Sequence, residues 1–201
     1  MKAAVADPNE FKSGTLFKNE NLGSVSWNGR EHKRLFWNGG DGRFTEVAFG
    51  MGVDAVEDGR AAIFFDMDGD GDLDLLLTTM DDNHPVRLFR NEQGSRRNWL
   101  KVLPVGTKSN RQAVGALIKV RAGGKLMVRP VVAGQGYESS YYGPAHFGLG
   151  DNTRADQVEV VFPNGKTVSI AEVGANQVIT IYEDGAQNTS SLQRLTPGAE
   201  R

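Results

Sequence analysis

Ala61-Ala62-Ile63-Phe64-Phe65-Asp66-Met67-Asp68-Gly69-Asp70-Gly71-Asp72-Leu73-Asp74-Leu75-Leu76-Leu77-Thr78-Thr79 is the stretch that decides the fold. Residues 61–65 form a short continuous apolar run, which predicts a buried strand. Residues 73–79 predict the return strand. Between them lie five carboxylates within nine residues, 66–74. Like charges packed this closely are costly without a cation. A hard divalent ion turns the repulsion into ligation, and an all-oxygen donor set suits Ca2+.

The spacing is Asp-x-Asp-x-Asp-Gly-x-x-Asp. Asp66, Asp68 and Asp70 would supply side-chain oxygens, and Gly71 would allow the sharp turn. Asp72 would offer its backbone carbonyl, and Asp74 would close the site. An EF-hand requires a Glu at the twelfth position and helices on both sides. Leu77 stands at that position and the flanks read as strands, so the EF-hand is rejected while its ligand logic survives. A solvated acidic turn without an ion is the competing reading. Magnesium would prefer fewer protein ligands and more water.

Working outward, short strands and turns continue on both sides. Leu16-Phe17-Lys18-Asn19, Leu35-Phe36-Trp37-Asn38 and Leu88-Phe89-Arg90-Asn91 share one pattern and suggest a repeated β unit. Gly39-Gly40-Asp41-Gly42 predicts a hairpin turn into residues 43–47. Asp81-Asp82-Asn83-His84-Pro85 is a further turn, and residues 86–90 complete an antiparallel meander. A polar, basic linker at 94–98 predicts a domain boundary. Strands are then expected at 99–105, 115–122, 125–132, 157–162, 166–170 and 177–182. Gly123-Gly124 and Pro163-Asn164-Gly165 mark tight turns. Phe147-Gly148-Leu149-Gly150-Asp151 reads as a compact turn. The polar stretch 184–201 reads as a disordered tail.

Composition agrees with an all-β protein. Glycine contributes 25 of 201 residues, spread along the chain, and long amphipathic helical runs are missing. The formal charge is −2, and the five loop aspartates account for it. No basic patch with interleaved aromatics points to nucleic acid. No run of about 18 apolar residues spans a membrane. The chain has no Cys, which excludes disulfides and thiolate metal sites. The N-terminal apolar patch is too short for a signal-peptide core. His32, His84 and His146 lack zinc spacing and read as structural or surface residues. Tyr137, Tyr141 and Tyr142, with Ser139 and Ser140, could line a sugar- or peptide-binding surface or simply pack a loop. No Gly-x-Ser-x-Gly elbow and no phosphate loop is present.

Phe64-Phe65-Asp66-Met67-Asp68-Gly69-Asp70-Gly71-Asp72-Leu73-Asp74, followed by Leu88-Phe89-Arg90-Asn91, resembles an FG-GAP/VCBS repeat of integrin-type β-propellers. The later half resembles the ASPIC/UnbV domain of the cartilage acidic protein-like family. The marks are Ser109-Asn110-Arg111, Val114-Gly115-Ala116, Gly134-Gln135-Gly136-Tyr137, His146-Phe147-Gly148-Leu149-Gly150 and Val160-Val161-Phe162-Pro163-Asn164-Gly165-Lys166. The resemblance implies calcium-binding repeats ahead of a β-rich C-terminal domain, usually extracellular, with no established catalytic residues. Some relatives are encoded in enediyne biosynthesis clusters.

The expected organisation is therefore a lead-in at 1–15, a calcium-loop repeat region at 16–94, an ASPIC/UnbV-like domain at 98–183 and the tail at 184–201. The expected fold is all-β, with propeller-like repeat blades followed by a small β-sandwich-like domain. One complete repeat leaves exposed edges, so upstream repeats or another chain are expected to complete a propeller. The expected function is a calcium-binding, non-catalytic interaction or adhesion module, secreted, extracellular or periplasmic, with a protein or glycan ligand. The metal ligands are Asp66, Asp68, Asp70, Asp72 and Asp74. The alternative is an enzyme or accessory protein in bacterial natural-product biosynthesis, which requires a concave pocket with converging polar groups around residues 137–146.

Overall fold

Among the described residues every regular element is a strand, in keeping with a sequence of short apolar runs broken by glycine turns. The computed structural model describes residues 31–79, 85–92, 96–137 and 139–190. Asp81, Asp82, His84 and the first of the three similar strings lie outside the described residues. No α-helix occurs among the described residues, and none of the four sheets closes on itself there. The chain divides into two compact units, Met1–Ala61 with Leu77–Arg87, and Ala62–Leu76 with Leu88–Arg201.

In the first unit, β1 (Phe36–Asn38) pairs antiparallel with β2 (Phe44–Glu46) as the expected hairpin. Gly40 and Gly42 both take φ of 83°, a left-handed conformation open to glycine, and the Asn38 side chain accepts a hydrogen bond from the Gly40 amide. Beyond the hairpin, Arg60 forms a two-point ion pair with Asp58, and Arg87 pairs with Glu57. His32 contacts Asp54. The acidic residues of this loop therefore have basic partners.

β3 (Gly59–Phe65), β4 (Asp74–Thr79) and β5 (Val86–Phe89) form a three-stranded sheet with β4 central. The acidic loop thus joins an edge strand to the central strand.

The second unit contains a β-sandwich. One sheet has the order β11-β10-β7-β8, and the other β13-β12-β6-β9. The first is built from β7 (Leu117–Ala122), β8 (Lys125–Pro130), β10 (Arg154–Val161) and β11 (Thr167–Gly174). The second contains β6 (Asn98–Val105), β9 (Ala145–Gly150), β12 (Gln177–Tyr182) and β13 (Gln187–Ser190). Alternation along each strand turns one set of side chains inward. Leu100, Val102, Phe147, Ile179 and Ile181 from one sheet meet Ile118, Val120, Val158 and Val160 from the other in one buried core.

Two features depart from expectation. The predicted turn at 147–151 is largely strand β9, whose alternate residues Phe147 and Leu149 are buried. The predicted disordered tail contributes β13, an exposed polar edge strand paired with β12. Such a strand is held by backbone hydrogen bonds, which leave no apolar signature in the sequence. In the sandwich, β6 and β12 pair parallel, whereas β10 with β11 and β7, β7 with β8, β6 with β9 and β12 with β13 pair antiparallel.

Candidate metal centre and adjoining cavity

Strand β6 is buried on both faces. Leu100 and Val102 enter the core. The alternate residues Trp99 and Lys101 face outward, and there they meet the acidic loop. Register places Val178 of β12 and His146 of β9 on either side of Lys101. This row of three side chains forms a platform for the loop, entirely within the second unit.

Several contacts seat the loop on that platform. The Lys101 ammonium, only 3% exposed, pairs with Asp66 Oδ2 and lies 4.9 Å from the Trp99 ring centroid. His146 Nε2 contacts the Gly71 carbonyl at 2.8 Å. A carbonyl can only accept, so that nitrogen carries the hydrogen. Gly71 takes φ of 99°, and a Cβ there would overlap the Trp99 indole. Gly71 therefore serves both the turn and the close approach.

Inside the loop, backbone amides orient the carboxylates. Asp66 accepts from the Gly69 amide at 2.6 Å and the Gly71 amide at 2.9 Å. Asp68 accepts from Asp70, and Asp70 from Asp72. Asp74, 1% exposed, accepts at one oxygen from Met67 and at the other from Asn91, both at 2.8 Å. The Asn91 side chain also reaches the Leu73 carbonyl. The recurrent Asn of the similar strings thus locks the loop at position 91, while Asn38 stabilises a turn.

Asp66, Asp68 and Asp74 each present an oxygen within 4.8 Å of the others. Three carboxylate oxygens that converge in this way fit a hard divalent cation. Asp70 and Asp72 fall outside that group. Asp72 is buried, and Arg90 lies 3.8 Å from Asp68.

Beside the loop is a cavity of about 390 Å³. Its lining includes Lys101, His146 and Val178 of the platform, Phe64, Phe65, Asp66 and Leu73 of the loop and its flanks, and Arg129, Gln135, Tyr141 and Pro144. Burial lowers the His146 pKa, and the Lys101 and Arg129 charges act in the same direction against the Gly71 carbonyl and Asp66. Burial and then Asp66 raise the Tyr141 pKa. Of the three tyrosines singled out in the sequence, only Tyr141 lines the cavity, with its ring 6.1 Å from that of Phe65. Tyr137 and Tyr142 are exposed. Sequence reasoning read His146 as a structural or surface residue at the end of the stretch 137–146 where the alternative function required a pocket, and it missed Lys101. The available signal was a lone cation in the otherwise apolar run Trp99-Leu100-Lys101-Val102-Leu103.

The family described as FG-GAP-like repeat matches residues 24–77, and that described as ASPIC and UnbV matches residues 106–188. The chain carries an FG-GAP-like repeat followed by an ASPIC/UnbV domain. It is also homologous to Cartilage acidic protein 1. The Mus musculus protein is 35% identical over 164 residues, covering 77% of this chain and 25% of the relative. The Homo sapiens protein is 34% identical over 164 residues, covering 77% and 24%. The Xenopus tropicalis protein is 37% identical over 129 residues, covering 61% and 19%. The chain thus spans about a quarter of the length of the first two relatives.

Three marks of the ASPIC/UnbV domain, Ser109, Asn110 and Asn164, make structural hydrogen bonds. Glu183, 1% exposed, accepts from the amides of Thr107, Lys108 and Ser109. The Ser109 hydroxyl and the Asn164 side-chain amide also donate to it. Burial alone would raise the Glu183 pKa, but these donors outweigh it and hold the value at about 2. Asn110 ties its own turn by exchanging hydrogen bonds with the Val114 backbone. The acidic loop of the FG-GAP-like repeat rests on β6 and β9, strands of the sandwich.

Proposed function

We propose that this chain is a calcium-braced, non-catalytic interaction module of an extracellular-type protein. The convergence of Asp66, Asp68 and Asp74 oxygens, each carboxylate turned by backbone amides, carries this reading. The FG-GAP-like match and the homology to Cartilage acidic protein 1 support the extracellular setting. A bound cation would neutralise the loop. Because His146, Lys101 and Trp99 contact that loop, it would also brace the ASPIC/UnbV sandwich. Metal affinity would then appear as folding stability. The partner is a protein or glycan bound elsewhere on the surface, with upstream repeats or another chain completing a propeller.

Thermal unfolding of the full chain in calcium and in EGTA tests the reading. Calcium is expected to raise the midpoint, and Asp68→Ala and Asp70→Ala to blunt the rise. If EGTA leaves the midpoint unchanged, and both substitutions do too, calcium bracing is wrong.

The cavity favours a second reading, an enzyme or accessory protein in natural-product biosynthesis, because a pocket with converging polar groups is what such a protein requires. The identity of neighbouring genes separates the two.

A further inference from the structure

The cavity beside the acidic loop has an uneven charge. Its carboxylate, Asp66, is taken by the Lys101 ammonium and the Gly71 amide. Arg129 also lines the cavity. Among the described residues no carboxylate pairs with its guanidinium, which donates to the Val128 carbonyl at 3.1 Å and lies 5.8 Å from the Phe147 ring centroid. Most guanidinium N–H groups therefore remain available in a fixed planar fork that matches a carboxylate. Gln135 and Tyr141 add neutral polar groups to the same lining. Apart from His146, the remaining side chains of the lining are apolar, with Phe64, Leu73 and Pro144 among them and Phe64 half exposed at 49%. A volume of about 390 Å³ is in the range that holds a small molecule.

We propose that this cavity binds a small organic carboxylate with an apolar body, the carboxylate on Arg129 and the body against Phe64, Leu73 and Pro144. A phosphate dianion fits less well. It would bring a second negative charge towards Asp66 and leave the apolar wall uncovered. A neutral ligand would forgo the charge-assisted, two-point pairing that the guanidinium offers a carboxylate. The proposal does not depend on calcium bracing, because Arg129 and the apolar wall are distinct from the converging aspartates. Each measurement below is made in calcium and again in EGTA, so that failure of one idea leaves the other standing.

The test uses the full chain and three acids with different bodies, benzoate, phenylacetate and hexanoate, followed by NMR titration. Benzamide and inorganic phosphate are the comparison ligands. At least one acid is expected to bind with a dissociation constant below about 10 mM, shifting the Tyr141 and His146 signals. Arg129→Gln is expected to weaken that acid roughly tenfold or more, while the exposed-strand control Arg121→Gln leaves it unchanged. Benzamide is expected to bind roughly tenfold more weakly than benzoate or not at all. The proposal is overturned if none of the acids shifts the cavity signals, if benzamide or phosphate matches the best acid, or if Arg129→Gln binds the acid like the parent. The acid–benzamide comparison needs no variant, so it decides the matter even if Arg129→Gln misfolds.

Discussion

At the residue scale, Gly71 and Glu183 each carry a requirement visible in local chemistry. Gly71→Ala would place a side chain at φ of 99° and drive its Cβ into the Trp99 indole. Backbone strain alone costs about 1–3 kcal/mol, so denaturant unfolding is expected to show a loss of at least that size, with disturbed Trp99 fluorescence. Glu183 makes a pH prediction. Its folded pKa of about 2 lies below the ordinary 4.5, so its stabilisation is fully present above pH 4.5. It is lost as pH falls from there through about 2. Glu183→Gln is expected to be less stable at neutral pH and to flatten the stability–pH curve in that window, measured by urea midpoints. An unchanged acid slope in the variant would refute this assignment.

At the element scale, the acidic loop is held by two kinds of bond that mutation can separate. Asp74 is buried and accepts from Met67 and Asn91, so Asp74→Ala leaves two amides without their partner. It is expected to cost about 2–4 kcal/mol even in EGTA. Asp68 is partly exposed, and Asp68→Asn is expected to change metal-free stability by no more than about 0.5 kcal/mol while reducing the calcium-dependent gain. Lys101 pairs with Asp66 and would oppose a cation bound there. Lys101→Met breaks a buried ion pair and is expected to lower metal-free stability by about 3 kcal/mol. It also removes a cation that competes for Asp66, so calcium should raise the melting midpoint of the variant more than that of the parent. An equal or smaller calcium response would show that Lys101 does not compete with the metal.

At the scale of the whole molecule, stability should be unevenly distributed. The shared core is formed largely by β6, β7, β10 and β12 with β9. By contrast, every residue of β1 and β2 is exposed. Native-state hydrogen exchange is expected to be slowest in β6, β7, β10 and β12 and fastest in β1, β2 and the edge strand β13. Comparable protection in β1 and β7 would contradict this order.

Strands that bury side chains were legible because burial leaves a pattern in the chain. The Gly123-Gly124 hairpin and the turn around Asn164 occur as read, whereas the run ahead of Asp66 forms a strand that is not buried but lies at a sheet edge with Ala62 and Phe64 exposed. Strand β13 was not legible, because its pairing uses backbone groups that every residue shares. The acidic loop was legible as a cation-seeking cluster, since like charges at that spacing are costly whatever surrounds them. Convergence of Asp66, Asp68 and Asp74 depends on which amide each oxygen accepts, and that is fixed only by the folded turn. The partners Lys101 and His146 lie 35 and 75 residues from their contacts in the loop. Local sequence therefore determined the strands, the turns and the need for charge compensation. Tertiary structure alone decided which strand faces the loop and which cation meets Asp66, and it alone formed the cavity with Arg129 in its wall. These depend on sheet order and register, which bring distant residues together by burying a common core.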